Sequence, residues 1–277
     1  MENVSVVLSS GGARGLAHIG VLESLEKDNY DIVEISGSSI GSLVAAFYAS
    51  GKLNIFKDWV KTLDKFAVFS FMDFSVSGQG LLKGDKVFTF LKTIIPDEKI
   101  EKLKIPISII TTDVSNNQEV VIREGSMYEA IRASCSIPGL VKPFIKNQSE
   151  FIDGGVLNPL PINRLINKEK IITVNLNSNP KRLKLNHKTQ KGFYNYFFSF
   201  RDYFSNKDVG KSLSFYDITY RSVHMMQNEL AKSQIKKHKT FKNISIPCDS
   251  CYPLEFYKAK EMISIGKKLY NQTKNNY

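Results

Sequence analysis

The chain has 277 residues, of which 42% are hydrophobic and 23% charged, enough for a globular fold with a sizeable core. Its longest uncharged apolar stretch, Ile40 to Gly51, is shorter than the roughly 20 residues that cross a bilayer, so no transmembrane helix is expected. The start, Met1-Glu2-Asn3, has neither the basic flank nor the apolar run of a secretory signal. Three thinly spread cysteines, Cys135, Cys248 and Cys251, argue against a disulfide framework, so a cytoplasmic location is expected.

The net charge of +11 is uneven: residues 1–180 hold 19 Lys and Arg against 20 Asp and Glu, whereas residues 181–277 hold 19 against 7. Such a basic excess speaks to partners rather than to fold. An anionic membrane surface, reached through residues 181–277, is the expected partner; nucleic acid is disfavoured because no recognition motif accompanies the charge.

In chain order, Val4 to Leu8 reads as a strand ended by Ser9-Ser10-Gly11-Gly12, with Leu16, Ile19, Leu22 and Leu25 following at helical spacing to Lys27. Asp31 to Ile35 is a second strand, and Ser42 to Ser50 a second helix, closed by Gly51 as a left-handed cap. In such a βαβα unit the crossover is right-handed and both glycine turns fall at the carboxyl edge of one sheet, where ligands of open α/β sheets bind. The stretch from Gly51 to Lys104 is less regular, either a lid or packed helices, with one helix from Lys83 to Thr93. Further strands are predicted at Ile105–Thr111, Glu119–Arg123, Glu150–Ile152 and Ile171–Leu176, and helices at Met127–Ser134 and Leu254–Tyr270. The prediction is an α/β fold with a mostly parallel central sheet: a first domain over residues 4–178, then a basic, aromatic-rich region over 179–277 packed on it. The aromatic cluster from Phe193 to Phe204 either packs on the core or enters a lipid interface.

Gly37-Ser38-Ser39-Ile40-Gly41 matches the G-x-S-x-G nucleophile elbow and lies between a strand and a helix, as that motif requires. Ser39 is its centre, and Gly37 and Gly41 let the backbones pass closely. An ordinary glycine-serine turn is the competing reading. Ser10-Gly11-Gly12-Ala13-Arg14-Gly15 precedes a helix and offers bare amides to negative charge, either an oxyanion or a phosphate. Serine needs a base. His18 lies inside the first helix, and His187, His224 and His238 lie in the basic region without a strand-end setting. Asp153, in Phe151-Ile152-Asp153-Gly154-Gly155, is the better candidate, although an Asp-Gly-Gly turn alone has a purely structural reading. Cys248-Asp249-Ser250-Cys251 lacks the second ligand pair of a zinc site.

Together these segments resemble the patatin-like phospholipase family. The glycine loop from Gly11 through Leu22, the elbow and the Asp153 turn follow the family's order, and Arg132-Ala133-Ser134-Cys135-Ser136-Ile137-Pro138-Gly139-Leu140 resembles the segment that precedes the Asp turn in bacterial members. The resemblance runs from Val4 to Leu176. Ser10 departs from it, standing where many relatives have glycine. It implies a three-layer α/β/α sandwich and a Ser-Asp dyad without cofactor or metal. Ser39 would be the nucleophile and Asp153 the base. Gly11 and Gly12, with the helix start through Gly15, would form the oxyanion hole, and Arg14 would hold that loop. The implied activity is phospholipase A-type or lysophospholipase hydrolysis of acyl lipids through an acyl-enzyme. An acyltransferase or thioesterase using the same serine, and a non-catalytic lipid- or anion-binding protein, are the alternatives.

Overall fold

The computed structural model describes residues 2–75, 80–168, 170–179 and 215–274. The aromatic cluster from Phe193 to Phe204 and His187 lie outside the described residues. The strands are β1 (Glu2–Leu8), β2 (Tyr30–Ser38), β3 (Ile107–Asp113), β4 (Gln118–Ile122), β5 (Phe144–Lys146), β6 (Ser149–Asp153), β7 (Ile171–Ser178) and β8 (Lys242–Pro247). They form one sheet in the order β5-β6-β3-β2-β1-β7-β8, with β4 also paired to β3. The run from β3 through β8 is parallel, and β4, β5 and β6 add antiparallel pairs at the other end.

Alternation along β1 sorts the layers. Val4, Val6 and Leu8 point into a large core with helices α1 (Leu16–Lys27), α2 (Ile40–Ala49), α3 (Leu53–Val60) and α6 (Met127–Ser134). Val7 points the other way, into a smaller cluster with Leu160, Ile162, Leu165, Ile171 and Ala231. Ala231 belongs to α7 (Phe215–Lys237), which covers that second face. The architecture is therefore a three-layer α/β/α sandwich around a mixed, mostly parallel sheet.

Helix α6 begins at Ser126, whose side chain accepts the Glu129 amide, an N-cap that fixes where the helix starts. Gly51 caps the second helix at φ 73°, the left-handed conformation its position predicts. Between Gly51 and Lys104 the chain forms packed helices: α3, α4 (Lys65–Ser70) and α5 (Asp85–Ile94), with Trp59 stacked among Phe56, Phe71 and Phe90.

The basic region supplies β8, parallel to β7, and α8 (Ala259–Lys274), which lies along α1. Their backbones nearly touch: a Cβ at Gly20 would sit 2.1 Å from the Ile263 carbonyl oxygen, and one at Gly266 2.1 Å from that of Ala17. The helix predicted from Leu254 starts later, at Ala259. Glu255 holds a turn in its place, accepting from Tyr252 N at 2.9 Å and Tyr257 Oη at 2.6 Å, and Phe256–Lys258 form a short 3-10 turn. Among the described residues no helix is long and apolar enough to cross a membrane.

Candidate active site

Leu8 pairs with Gly37 across β1 and β2, so the glycine loop and the serine turn leave the sheet at the same level of its carboxyl edge. At the end of β2, Ser39 has φ 57° and ψ −127°, a strained conformation that projects its hydroxyl from the turn. The flanking glycines make the turn possible. A Cβ at Gly37 would stand 2.6 Å from the Gly41 carbonyl carbon, and one at Gly41 2.2 Å from the Leu8 oxygen.

Strand β3 places the carboxylate. Ser38 is opposite Ile110, where β2 ends, and Asp153 is opposite the next residue, Thr111, where the antiparallel β6 takes over. The two strand ends therefore meet head to head. Ser39 Oγ donates a short hydrogen bond to Asp153 Oδ2, and the other carboxylate oxygen accepts from Gly155 N at 2.7 Å. Ser39 is 3% exposed and Asp153 5%. Burial raises the Asp153 pKa to about 6, outweighing the hydrogen bonds from Ser39 and Gly155 that pull it down.

The end of α6 and the residues just after it brace both Ser39 and Asp153. Ser39 N donates to Ser134 Oγ at 2.9 Å, and Asp153 N donates to the Ser136 carbonyl at 2.9 Å. Ser134 Oγ also lies 2.9 Å from Ser42 Oγ in α2, and Arg132 Nη1 donates to Ser136 Oγ at 2.7 Å. Nothing in the sequence marks Ser134 for this role. Cys135, between them, has its thiol pushed above the ordinary range by burial and by the Asp153 carboxylate, so it stays protonated.

The glycine loop lies against this turn. No backbone carbonyl of the described residues takes the Gly11 or Gly12 amide, whereas Ala13 N donates to the Pro253 carbonyl at 2.8 Å. Gly12 has φ 57°, and a Cβ there would sit 2.8 Å from Pro253 Cα. At Gly15 the helix start passes Ile40, the residue after the serine, so closely that a Cβ would lie 2.3 Å from its side chain. Ser10 is buried, with its amide on the Pro159 carbonyl at 2.9 Å and its own carbonyl accepting from Asn177 Nδ2 at 3.1 Å.

Arg14 is fully buried. Nη1 donates to the Cys251 carbonyl at 3.1 Å and Nη2 to His224 Nε2 at 2.9 Å, so the His224 proton sits on Nδ1. Burial and the adjacent guanidinium lower His224 to about 3. His18 is also buried and neutral, lowered to about 4 by burial, with Nε2 donating to the Ser9 carbonyl at 3.0 Å. The basic region thus reaches the site through His224 and through Gln227 Nε2, which donates to the Gly155 carbonyl at 3.1 Å. Neither contact was foreseen from the sequence. Among the described residues no cluster of three or more His, Cys, Asp or Glu side chains is arranged to hold a metal ion.

Residues 6–166 match the model of the family described as patatin-like phospholipase. An uncharacterized NTE family protein of Mycobacterium tuberculosis is 39% identical over 176 residues, covering 63% of this chain and 49% of that protein. Human patatin-like phospholipase domain-containing protein 6 is 29% identical over 186 residues, covering 64% of this chain and 14% of its own length. The alignment thus takes in about half of the mycobacterial protein. Among solved structures, VipD from Legionella pneumophila aligns over 99% of this chain and 67% of its own, at a TM-score of 0.47 and 14% identity. With the family model spanning more than half of its length, the chain belongs to the patatin-like phospholipase family.

Proposed function

We propose that the chain is a serine lipid acyl hydrolase that cleaves carboxylic esters of phospholipids or related acyl lipids through a Ser39–Asp153 dyad. The observation that carries this reading is the hydrogen bond from Ser39 Oγ to a buried carboxylate whose affinity for a proton is raised. Serine is a weak nucleophile until a positioned base accepts its proton, and a carboxylate titrating near 6 serves better at neutral pH than one titrating near 4.

In the first step Asp153 Oδ2 takes the hydroxyl proton while Ser39 Oγ attacks the ester carbonyl carbon. The negative charge that develops on the carbonyl oxygen is met by the Gly11 and Gly12 amides and by the start of α2, where no backbone carbonyl of the described residues takes the Ile40 and Gly41 amides. Collapse breaks the ester bond, and Asp153 returns the proton to the departing alkoxide, leaving acylated Ser39. Asp153 then takes a proton from water, the hydroxide attacks the acyl carbon, and the second collapse releases the fatty acid and restores Ser39 with the proton.

Lipid substrate is met at an interface, and we assign the chain a peripheral place on an anionic membrane surface. Phe66 on α4 is 78% exposed, Phe69 beside it is exposed as well, and Lys65 lies 5.4 Å from the Tyr257 ring, in the segment that follows Pro253 over the glycine loop. Rings at headgroup depth flanked by lysines suit such a surface.

The test is product analysis with the full chain and mixed phospholipid vesicles, with wild type beside Ser39→Ala and Asp153→Asn. Release of free fatty acid by wild type, lost in both variants while the circular dichroism spectrum is kept, is the expected result. Acyl transfer to an added alcohol in place of free acid would mark a transferase. Failure of a fluorophosphonate probe to label Ser39 would mark a binding protein instead.

A further inference from the structure

Helix α7 lies outside the family-matched residues 6–166, yet one face of it touches both arms of the site. His224, Gln227, Ala231 and Ile235 follow one another at spacings of three and four, which places them on one stripe of the helix. Ala231 and Ile235 are anchored in the cluster with Val7, Leu160 and Ile162. The next turns toward the helix start then bring Gln227 and His224 over the carboxyl edge of the sheet.

Gln227 bonds to a residue that itself holds the Asp153 carboxylate, and His224 bonds to a residue of the glycine loop. Gly155 is gripped at both ends: its amide donates to Asp153 Oδ1 at 2.7 Å, and its carbonyl accepts from Gln227 Nε2 at 3.1 Å. There is little slack, because a Cβ on Gly155 would lie 2.7 Å from Ser10 Oγ and 2.9 Å from Gln227 Nε2. One helical turn away, His224 Nε2 accepts from Arg14, in the loop whose Gly11 and Gly12 amides are taken by no backbone carbonyl of the described residues. A buried guanidinium needs acceptors, and His224 and the Cys251 carbonyl supply two.

We infer that Gln227 and His224 are positioning residues for ester hydrolysis: Gln227 sets the base through Gly155, and His224 sets the oxyanion loop through Arg14. The helix that carries them is then part of the working site, although the family-matched segment ends before it. This inference rests on the hydrolase reading above. Misplacing a reacting group by about an ångström costs up to roughly a hundredfold in rate, so a loosened brace is expected to cost about tenfold in kcat.

The test uses the full chain, a small soluble p-nitrophenyl ester, and the variants Gln227→Met, His224→Leu and His224→Gln. Methionine keeps the shape of glutamine and removes the donor. Leucine removes the acceptor for Arg14, whereas glutamine returns an oxygen near the place of Nε2. Gln227→Met is expected to lower kcat about tenfold with KM within twofold. It is also expected to move the acidic limb of the pH–rate profile upward by roughly half a unit, since the Gly155 amide that stabilises the Asp153 carboxylate loses its hold. His224→Leu is expected to lower kcat similarly, and His224→Gln to restore most of it. An active wild type with kcat and the pH limb unchanged in Gln227→Met and His224→Leu would overturn the inference. So would an effect confined to KM, or an activity loss fully accounted for by the fraction unfolded. A wild-type chain that hydrolyses no ester and leaves Ser39 unlabelled would overturn the hydrolase reading itself and the inference with it.

Discussion

The Ser39 amide donates to the side chain of Ser134, 95 residues further along the chain, at 2.9 Å. This bond ties the strained peptide of the proposed nucleophile to the end of α6, and Ser134 Oγ in turn reaches the Ile110 carbonyl at 2.5 Å. The turn is therefore held from β3 as well as by its own glycines.

Ser134→Ala would leave the buried Ser39 amide without its acceptor, at a cost of about 1–3 kcal/mol. Urea denaturation is expected to show that loss. The kcat for a soluble ester is expected to fall while Ser39→Ala stays the more severe variant; an unaltered midpoint and unaltered kcat would show that the bond has no such role.

The rate should depend on pH through Asp153. Only the carboxylate can accept the Ser39 proton, so kcat/KM is expected to fall tenfold per unit below an apparent pKa of about 6. Neither buried histidine contributes a limb in this range, as His18 is lowered to about 4 and His224 to about 3. A limb near 4 would contradict the burial argument.

Stability should run the opposite way. Because burial raises the Asp153 pKa above its unfolded value of 3.8, the folded chain binds the proton more tightly between about 4 and 6, and stability from this group falls as pH rises through that window. The full change is on the order of 3 kcal/mol. Asp153→Asn removes the charge, so its melting temperature relative to wild type is expected to climb from pH 4 to pH 7. A constant difference would count against the raised pKa.

The crossing of α1 and α8 makes a further demand. Gly20→Ala and Gly266→Ala each bring a methyl group to 2.1 Å from a backbone carbonyl oxygen. The helices must separate, and overpacking of this kind costs about 1–3 kcal/mol or more. A lowered urea midpoint in both variants is expected. Stability equal to wild type would mean that the contact gives way freely.

For the membrane, exposed Phe66 offers a single substitution. Inserting one aromatic side chain contributes about 1.5–3 kcal/mol, so Phe66→Ser is expected to weaken sedimentation with phosphatidylglycerol vesicles at least tenfold, with a small soluble ester still turned over. Undiminished vesicle binding would place the contact elsewhere on the molecule.

The first two strands, their helices and the two glycine turns were legible because local signals agree: β-branched runs, then glycine, then helical periodicity. Ser39 and Asp153 were legible as candidates through their turns, but their meeting depends on the register of β3, which no local pattern reveals. Strand β8 reads as a loop because Asn243 and Ser245 interrupt its apolar residues and a lysine-rich run leads into it. The inner face of α7 is built from His224, Gln227, Ala231 and Ile235, a stripe too polar to announce a buried side. Ser134 lay within a recognised segment, yet a serine near the end of a helix carries no mark of the amide it will accept.

The pairing of Ser38 with Ile110 and of Asp153 with Thr111 makes one strand the gauge for the proposed dyad. Adding or deleting a residue within β3 would slide the carboxylate by about 3.3 Å, a full residue rise, and turn alternate side chains to the opposite face. A residue added after Ser115, in the turn that joins β3 to β4, would leave both of these pairs in register, but the spacing inside β3 has no such latitude.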